Sequence, residues 1–281
     1  MIPGKIAAIC QNKAERLRWL NRLPDVLYNL QQRWSLKLGN PFDGDEVSCA
    51  WVAPVTLKDR TSAILKLGVP HMEGEHEIQG LRFWAGNPTV QLLEADDDFG
   101  AMLLERCEPG TALREQPEAE QDVIIASLLR RLWRTPSASH PFRPLATMTA
   151  YWSGEIWAKA EGWRDPGLVS EGLRLFEILP ATAPAEVLLA TDLHAGNVLR
   201  AQREPWLVID PKPFVGDPAY DATQHLLNCY DRLRSDPDRT IRRFADLLNL
   251  SYDRVRLWTF ARAAAQGSDD RWLELARVIG T

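Results

Sequence analysis

Between Val187 and Pro213 three side chains are spaced for chemistry on a phosphate: Asp192, then Asn197, then Asp210. Two short apolar runs, Asn197–Ala201 and Trp206–Asp210, flank the turn-prone Gln202-Arg203-Glu204-Pro205. That pattern predicts a β-hairpin with a four-residue loop. With Ala201 across from Trp206, Leu199 faces Val208 and Asn197 faces Asp210 at the open end. Directly opposed side chains lie about 5 Å apart. An amide oxygen and a carboxylate that close make two hard ligands for one small divalent cation, Mg2+. Asp192 falls in the loop after Val187–Ala190, as a base or orienting carboxylate beside the metal pair. Any one of these carboxylates alone reads as a solvated loop residue or cap; the three at this spacing favour phosphoryl transfer.

A second pair of residues has a charge to explain. Lys66 interrupts the otherwise apolar run Ser62–Leu67, and a helix is expected over Glu73–Trp84. The first turns of that helix hold Glu73, Glu75 and Glu77, which suits the helix dipole. Only Glu77 shares a stripe with Leu81 and Trp84, the inward face. An acid on an inward face needs a cation, and Lys66 is the candidate; Glu75 points away and ranks second. A purely structural salt bridge is the other reading of the pair.

The elements that must position these residues change character along the chain. Residues 12–35 carry leucines at helical spacing, with Pro24 at the first turn of a second helix. Strands are then expected over Ser35–Leu38, Val47–Val55, Ser62–Leu67, Thr89–Leu93 and Phe99–Glu105. The turn Gly39–Asp45 carries two glycines but no phosphate-binding glycine motif, and Asp96–Asp98 reads as a solvated turn. After Arg106–Thr111 helices dominate: 118–133, 144–163, 168–179, one starting at Asp217-Pro218, then 240–248, 252–266 and 271–279. Ser251 and Ser268 are the expected N-caps of the last two. Trp152, Trp157 and Trp163, with Glu155 and Glu161 among them, read either as core packing or as a wall for a polycation.

Composition sets limits. At 281 residues two lobes are expected, and 45% hydrophobic with 25% charged residues is ordinary for a soluble globule. A net charge of −5 argues against nucleic acid and is compatible with a cationic small molecule. No apolar run is long enough to cross a membrane and no signal-peptide core is evident, so a cytoplasmic protein is expected. Cys10, Cys49, Cys107 and Cys229 are scattered without metal-ligand spacing and read as reduced thiols.

The run Thr191-Asp-Leu-His-Ala-Gly-Asn-Val-Leu199 and the closing Trp206-Leu-Val-Ile-Asp-Pro211 resemble the aminoglycoside phosphotransferases. The closest likeness is to their streptomycin 6-phosphotransferase and hydroxyurea-kinase branch, and it extends over most of the chain from about Trp34. The resemblance implies an α+β, protein-kinase-like two-lobe fold. Residues 1–107 would form a small antiparallel-sheet nucleotide lobe with leading helices, and 108–281 a helical lobe with the catalytic loop and acceptor site. It further implies ATP and Mg2+ as cofactors, with Asp192 catalytic and Asn197 and Asp210 on the metal. Lys66 would steady the phosphates and Glu77 steady Lys66, while backbone groups near Glu105 to Cys107 pair with adenine. Asp221 would brace the catalytic loop. His194 reads either as fixing that loop by hydrogen bonds or as a catalytic imidazole, and Lys212, two residues past Asp210, could reach a phosphate oxygen. One departure is that Ala190 and Thr191 precede the catalytic Asp where related enzymes carry His-Gly. The short stretch from Asp210 to Asp217-Pro218 leaves no room for a peptide-docking segment, so a small-molecule acceptor is expected. Three readings stay open: an antibiotic kinase acting on streptomycin, a kinase of hydroxyurea or a sugar, and an inactive nucleotide-binding scaffold.

Overall fold

In the computed structural model, residues 2–11, 13–44 and 49–280 are described. The chain divides into two compact units. The first comprises Met1–Gly110 with Arg200–Leu207, and the second Thr111–Leu199 with Val208–Thr281.

The first unit begins with helices α1 (Gly4–Cys10) and α2 (Ala14–Arg33), followed by strands β1 (Lys37–Leu38), β2 (Ala50–Thr56) and β3 (Ser62–Gly68). Helix α3 (Glu77–Trp84) and strands β4 (Leu92–Asp96) and β5 (Ala101–Glu105) complete it. The five strands form one antiparallel sheet in the order β1-β2-β3-β5-β4. Alternation along β3 sends Ala63, Leu65 and Leu67 to one face, where they pack with Leu23, Val26, Leu27 and Leu30 of α2. Lys66 therefore projects from the opposite face.

Several sequence expectations need correction here. A single helix runs through Pro24 instead of two helices meeting there. Pro24 is exposed while its neighbours Leu23 and Val26 are buried, so the buried stripe holds the helix despite one lost backbone bond. The strand expected at Thr89–Leu93 lies instead at Leu92–Asp96, displaced past a register shift between Leu92 and Glu94. Asp96 is not a solvated turn residue but buried, ion-paired with Arg33 and accepting from the Phe99 N–H at 3.2 Å. Asp45, Val47 and Ser48, expected in the first turn and second strand, lie outside the described residues.

The second unit contains α4 (Glu118–Leu132), α5 (Leu145–Trp157), α6 (Pro166–Ala181), β6 (Val187–Leu189), β7 (Val198–Arg200), β8 (Trp206–Val208) and β9 (Phe214–Gly216). The tip of the β7–β8 hairpin, from Arg200 to Leu207, clusters with the first unit. The chain then continues as α7 (Pro218–Asn228), α8 (Tyr230–Ser235), α9 (Pro237–Leu248), α10 (Tyr252–Ala264) and α11 (Asp270–Gly280). Asp217 caps α7 and Ser251 caps α10, as their sequences predict. At the start of α11 it is Asp269, not Ser268, that accepts from the Arg271 N–H. Strands β6 and β9 pair antiparallel, with Leu188 opposite Val215. Tyr220, Trp258, Phe214 and Phe244 are fully buried and anchor this unit. Among the described residues no helix is long and apolar enough to cross a membrane.

Candidate active site

Strand β6 delivers the chain into the loop that carries Asp192, and the loop's backbone is tied down on two sides. The buried carboxylate of Asp221, on α7, accepts from the Ala190 N–H at 2.9 Å and the Thr191 N–H at 2.7 Å. Trp133 donates its indole N–H to the same carboxylate at 3.0 Å. Burial pushes the Asp221 pKa up to about 6, against the pull of those three donors. From the other side Lys212 donates its N–H to the Ala190 carbonyl at 2.8 Å, and the Thr191 hydroxyl donates to the Lys212 carbonyl at 2.6 Å. These contacts hold Thr191 at φ +51, a conformation a β-branched residue rarely adopts. Asp221 is thus the brace foreseen for it, and the departure from His-Gly leaves the loop fully supported.

Within the loop, the Asp192 N–H bonds the Ala190 carbonyl at 2.7 Å, and its carboxylate Oδ1 accepts from Gln224 Nε2 at 2.8 Å. The Asn197 amide donates through Nδ2 to the Asp192 carbonyl at 3.0 Å. A carbonyl can only accept, so the Asn197 side-chain oxygen is the end that can face a cation. His194 caps the short turn Ala195–Asn197, its Nδ1 accepting from the Gly196 N–H at 3.1 Å. Burial, reinforced by Arg114, holds the His194 pKa down to about 4, against the pull of Asp210. The imidazole is therefore neutral near pH 7 and its ring fixes the loop, as the sequence suggests.

The hairpin differs from its expected register. Its strands end at Arg200 and begin again at Trp206, and the Ile209 N–H donates to the Asn197 carbonyl at 2.9 Å. Asn197 therefore lies across from Ile209 rather than Asp210, and the loop has five residues, 201–205. A slip of one residue would send a regular strand's side chains to the wrong face. Here the strand ends before that matters: Asn197 belongs to a 3-10 turn and Asp210 has left-handed backbone at φ +54. The Asp210 carboxylate is paired with the Lys212 ammonium.

Among the described residues there is no group of three or more His, Cys, Asp and Glu able to cage a metal. The Asn197 amide oxygen and the Asp210 carboxylate are two hard oxygens of this loop that could serve a small divalent cation.

In the first unit, Lys66 Nζ lies 2.5 Å from Glu77 Oε1, with the two residues 7% and 4% exposed. Register explains the Lys66 end: it sits opposite Met102 on β5, on the sheet face away from α2. Leu81 and Trp84 are buried on the same helix as Glu77, as its stripe predicts.

At the end of β5, the Glu105 N–H is already bonded to the Gln91 carbonyl at 2.9 Å. Its carboxylate pairs with Arg203 of the hairpin tip at 2.9 Å, and Arg203 also donates to the Gly86 and Thr89 carbonyls. The Cys107 backbone enters no backbone–backbone hydrogen bond among the described residues. Its thiol is pushed up to about 12 by burial and the nearby Glu105 charge, so it is protonated and unreactive. Gly110 closes the segment at φ +77, where a Cβ would come within 3.0 Å of the Cys107 carbonyl.

Of the tryptophans, the half-buried Trp152 packs against the buried rings of Phe176 and Tyr220. Trp157 and Trp163 lie with ring centroids 4.7 Å apart, and Trp157 is 54% exposed. The residues that sequence reading missed are Gln224 and Arg262, whose Nη2 donates to Gln224 Oε1. Gln224 follows Asp221 by one helical turn, which was the available signal.

The model of the aminoglycoside/hydroxyurea antibiotic resistance kinase family matches residues 33–274. Streptomycin 6-kinase from Streptomyces griseus is 36% identical over 256 residues, spanning 87% of this chain and 81% of the relative. Hydroxyurea phosphotransferase from Kitasatospora aureofaciens is 34% identical over 247 residues, 85% of this chain and 71% of the relative. Among solved structures, choline kinase LicA from Streptococcus pneumoniae superposes with a TM-score of 0.64 at 12% identity, covering 92% of this chain and 99% of that one. That likeness shows the fold, which is α+β and protein-kinase-like. With the match spanning most of its length, the chain belongs to the aminoglycoside/hydroxyurea antibiotic resistance kinase family.

Proposed function

We propose that this protein transfers the γ-phosphoryl group of ATP to a hydroxyl of streptomycin or a close aminoglycoside. The observation that carries the reading is the Asp192 loop, in which the carboxylate and the Asn197 amide are oriented by hydrogen bonds within the chain itself. In this reading the Asp192 carboxylate orients the acceptor hydroxyl and takes its proton late, because the transfer is a loose displacement governed by positioning. Lys66, held by Glu77, steadies the α- and β-phosphates. Asn197 and Asp210 would hold Mg2+, which supplies charge neutralisation at the transferring phosphoryl oxygens. The Lys212 ammonium, now on Asp210, is within the same group and can serve a phosphate oxygen. Adenine recognition falls to the backbone between Glu105 and Cys107, with the Glu105 N–H excluded as a donor because Gln91 already uses it. The first unit is then the nucleotide-binding lobe and the second supplies the acceptor site and the chemistry.

Hydroxyurea is the second acceptor to consider, on the strength of a relative at 34% identity that is named for it. Following ADP release with streptomycin, other aminoglycosides, hydroxyurea and simple sugars decides between them. Turnover with streptomycin and its absence with hydroxyurea is expected. ATP binding without turnover on any acceptor would leave only a nucleotide-binding scaffold.

A further inference from the structure

Arg254, Trp258 and Arg262 are spaced four residues apart on α10, in one line along the helix, and each reaches α7 or its cap. The first two close on the α7 cap: Arg254 Nε and Trp258 Nε1 lie 2.5 and 2.6 Å from Asp217 Oδ2. The third reaches one turn beyond Asp221. Arg262 donates through Nη1 to the Thr223 hydroxyl at 2.7 Å and through Nη2 to Gln224 Oε1, and its guanidinium lies 4.9 Å from the centre of the Tyr220 ring. The cap and its partners are structural. The Arg262 contact differs because it ends on a side chain that touches Asp192.

We propose that Gln224 is a positioning residue for the Asp192 carboxylate, and that Arg262 sets the direction in which the Gln224 amide is presented. This rests on Asp192 being the group that handles the acceptor proton. A guanidinium has donors only, so the amide oxygen must face Arg262. The amide nitrogen is then the end turned to Asp192 Oδ1, at 2.8 Å. Polarity runs one way along the chain Arg262, Gln224, Asp192, and a flipped amide would set like groups together at both ends.

The choice of an amide has a chemical reason. An amide fixes the orientation of the carboxylate with a neutral donor and keeps the formal charge of Arg262 one residue away. Polarisation of the amide by the guanidinium strengthens the N–H donor without transferring charge.

The test compares full-length Gln224→Ala, Gln224→Glu, Arg262→Met and Asp192→Ala with the unmodified protein, using streptomycin and ATP. Gln224→Ala should lower kcat about tenfold or more, with the KM for ATP and the melting temperature nearly unchanged, since only orientation is lost. Gln224→Glu, which keeps the length of the side chain but has no N–H to give Asp192, should lose kcat at least as far as Gln224→Ala, so that the loss follows the donor and not the bulk of the residue. Arg262→Met should fall between Gln224→Ala and the unmodified protein. Wild-type kcat in either Gln224→Ala or Gln224→Glu overturns the proposal. Retained activity in Asp192→Ala overturns instead the acid–base reading on which it rests. The contact is also read without any acceptor by NMR. The Gln224 side-chain amide pair, assigned by its disappearance in Gln224→Ala, should shift in both Asp192→Ala and Arg262→Met. A pair that stays in place in both variants overturns the proposal independently of turnover.

Discussion

The Asp192 carboxylate is held by a neutral amide and its backbone carbonyl by Asn197, so its removal should cost chemistry rather than fold. Asp192→Ala is expected to reduce kcat by about 10²- to 10⁴-fold, the usual contribution of a positioned acid–base group. The dissociation constant for Mg-ATP should change little, as measured by fluorescent nucleotide displacement; parallel loss of binding and melting temperature would make Asp192 a structural residue. Lys66 and Glu77 invite the opposite comparison because both are buried. Glu77→Ala removes a carboxylate 2.5 Å from the buried Lys66 ammonium and should cost up to about 3–5 kcal/mol in urea unfolding. The pair Lys66→Met with Glu77→Gln removes both buried charges, so it should recover much of that stability while leaving the KM for ATP raised. Recovery of both together would mean that the pair only holds the fold. At this scale the sequence disclosed the residues whose spacing is local. Asp192, Asn197 and Asp210 fall within one loop and hairpin; the stripe singled out Glu77, although the helix expected from Glu73 begins only at Glu77 and leaves Glu73 and Glu75 before it. Arg262 was not accessible in that way, since it meets Gln224 across 38 residues of chain and only the packing of α10 on α7 joins them.

The loop and helix α7 form an element whose stability carries two opposed pH dependences. Asp221 titrates near 6 in the folded protein against 3.8 for the free group, mainly because it is buried. The folded state holds that proton more tightly than the unfolded chain, so this group's contribution is full below pH 3.8 and declines as pH rises through about 6. His194 has the reverse sign: burial lowers it to about 4, so the stability it contributes is present above pH 6.5 and is lost as pH falls through about 4. Each amounts to at most about 3 kcal/mol, and over the shared window they oppose one another. Asp221→Asn removes the first alone. Its melting temperature should therefore rise more steeply with pH between 4 and 6 than that of the unmodified protein. Identical slopes would show that Asp221 keeps its ordinary pKa. The order of elements was largely legible, because strand alternation in the first unit and helical spacing in the second are local signals. Register was not. A loop of four or five residues is equally compatible with the sequence Ala201–Pro205, and the decision lies in the 3-10 turn at Ala195–Asn197 and the left-handed backbone at Asp210. The continuation of α2 through Pro24 was hidden for a similar reason, since the leucine and valine stripe that overrides the proline is satisfied only once the sheet is underneath it.

For the molecule as a whole, the acidic balance becomes a statement about the acceptor. The chain carries 38 acidic against 33 basic residues, for a net charge of −5. Such a field draws cationic ligands and is screened over about 10 Å at 0.1 M salt. Glu155 and Glu161 lie exposed in the same stretch as the paired rings of Trp157 and Trp163. A cationic aminoglycoside should therefore show a KM that rises severalfold between 50 and 500 mM salt while kcat is nearly constant. Hydroxyurea, being neutral, should show no such trend, so the same titration with the two compounds separates charge recognition from general salt effects on the enzyme. Neutralising the local acids, as Glu155→Gln with Glu161→Gln, should raise the streptomycin KM at low salt and flatten its salt dependence. If the double substitution leaves both unchanged while the unmodified protein keeps its salt response, the attraction comes from acids elsewhere on the chain and not from Glu155 and Glu161.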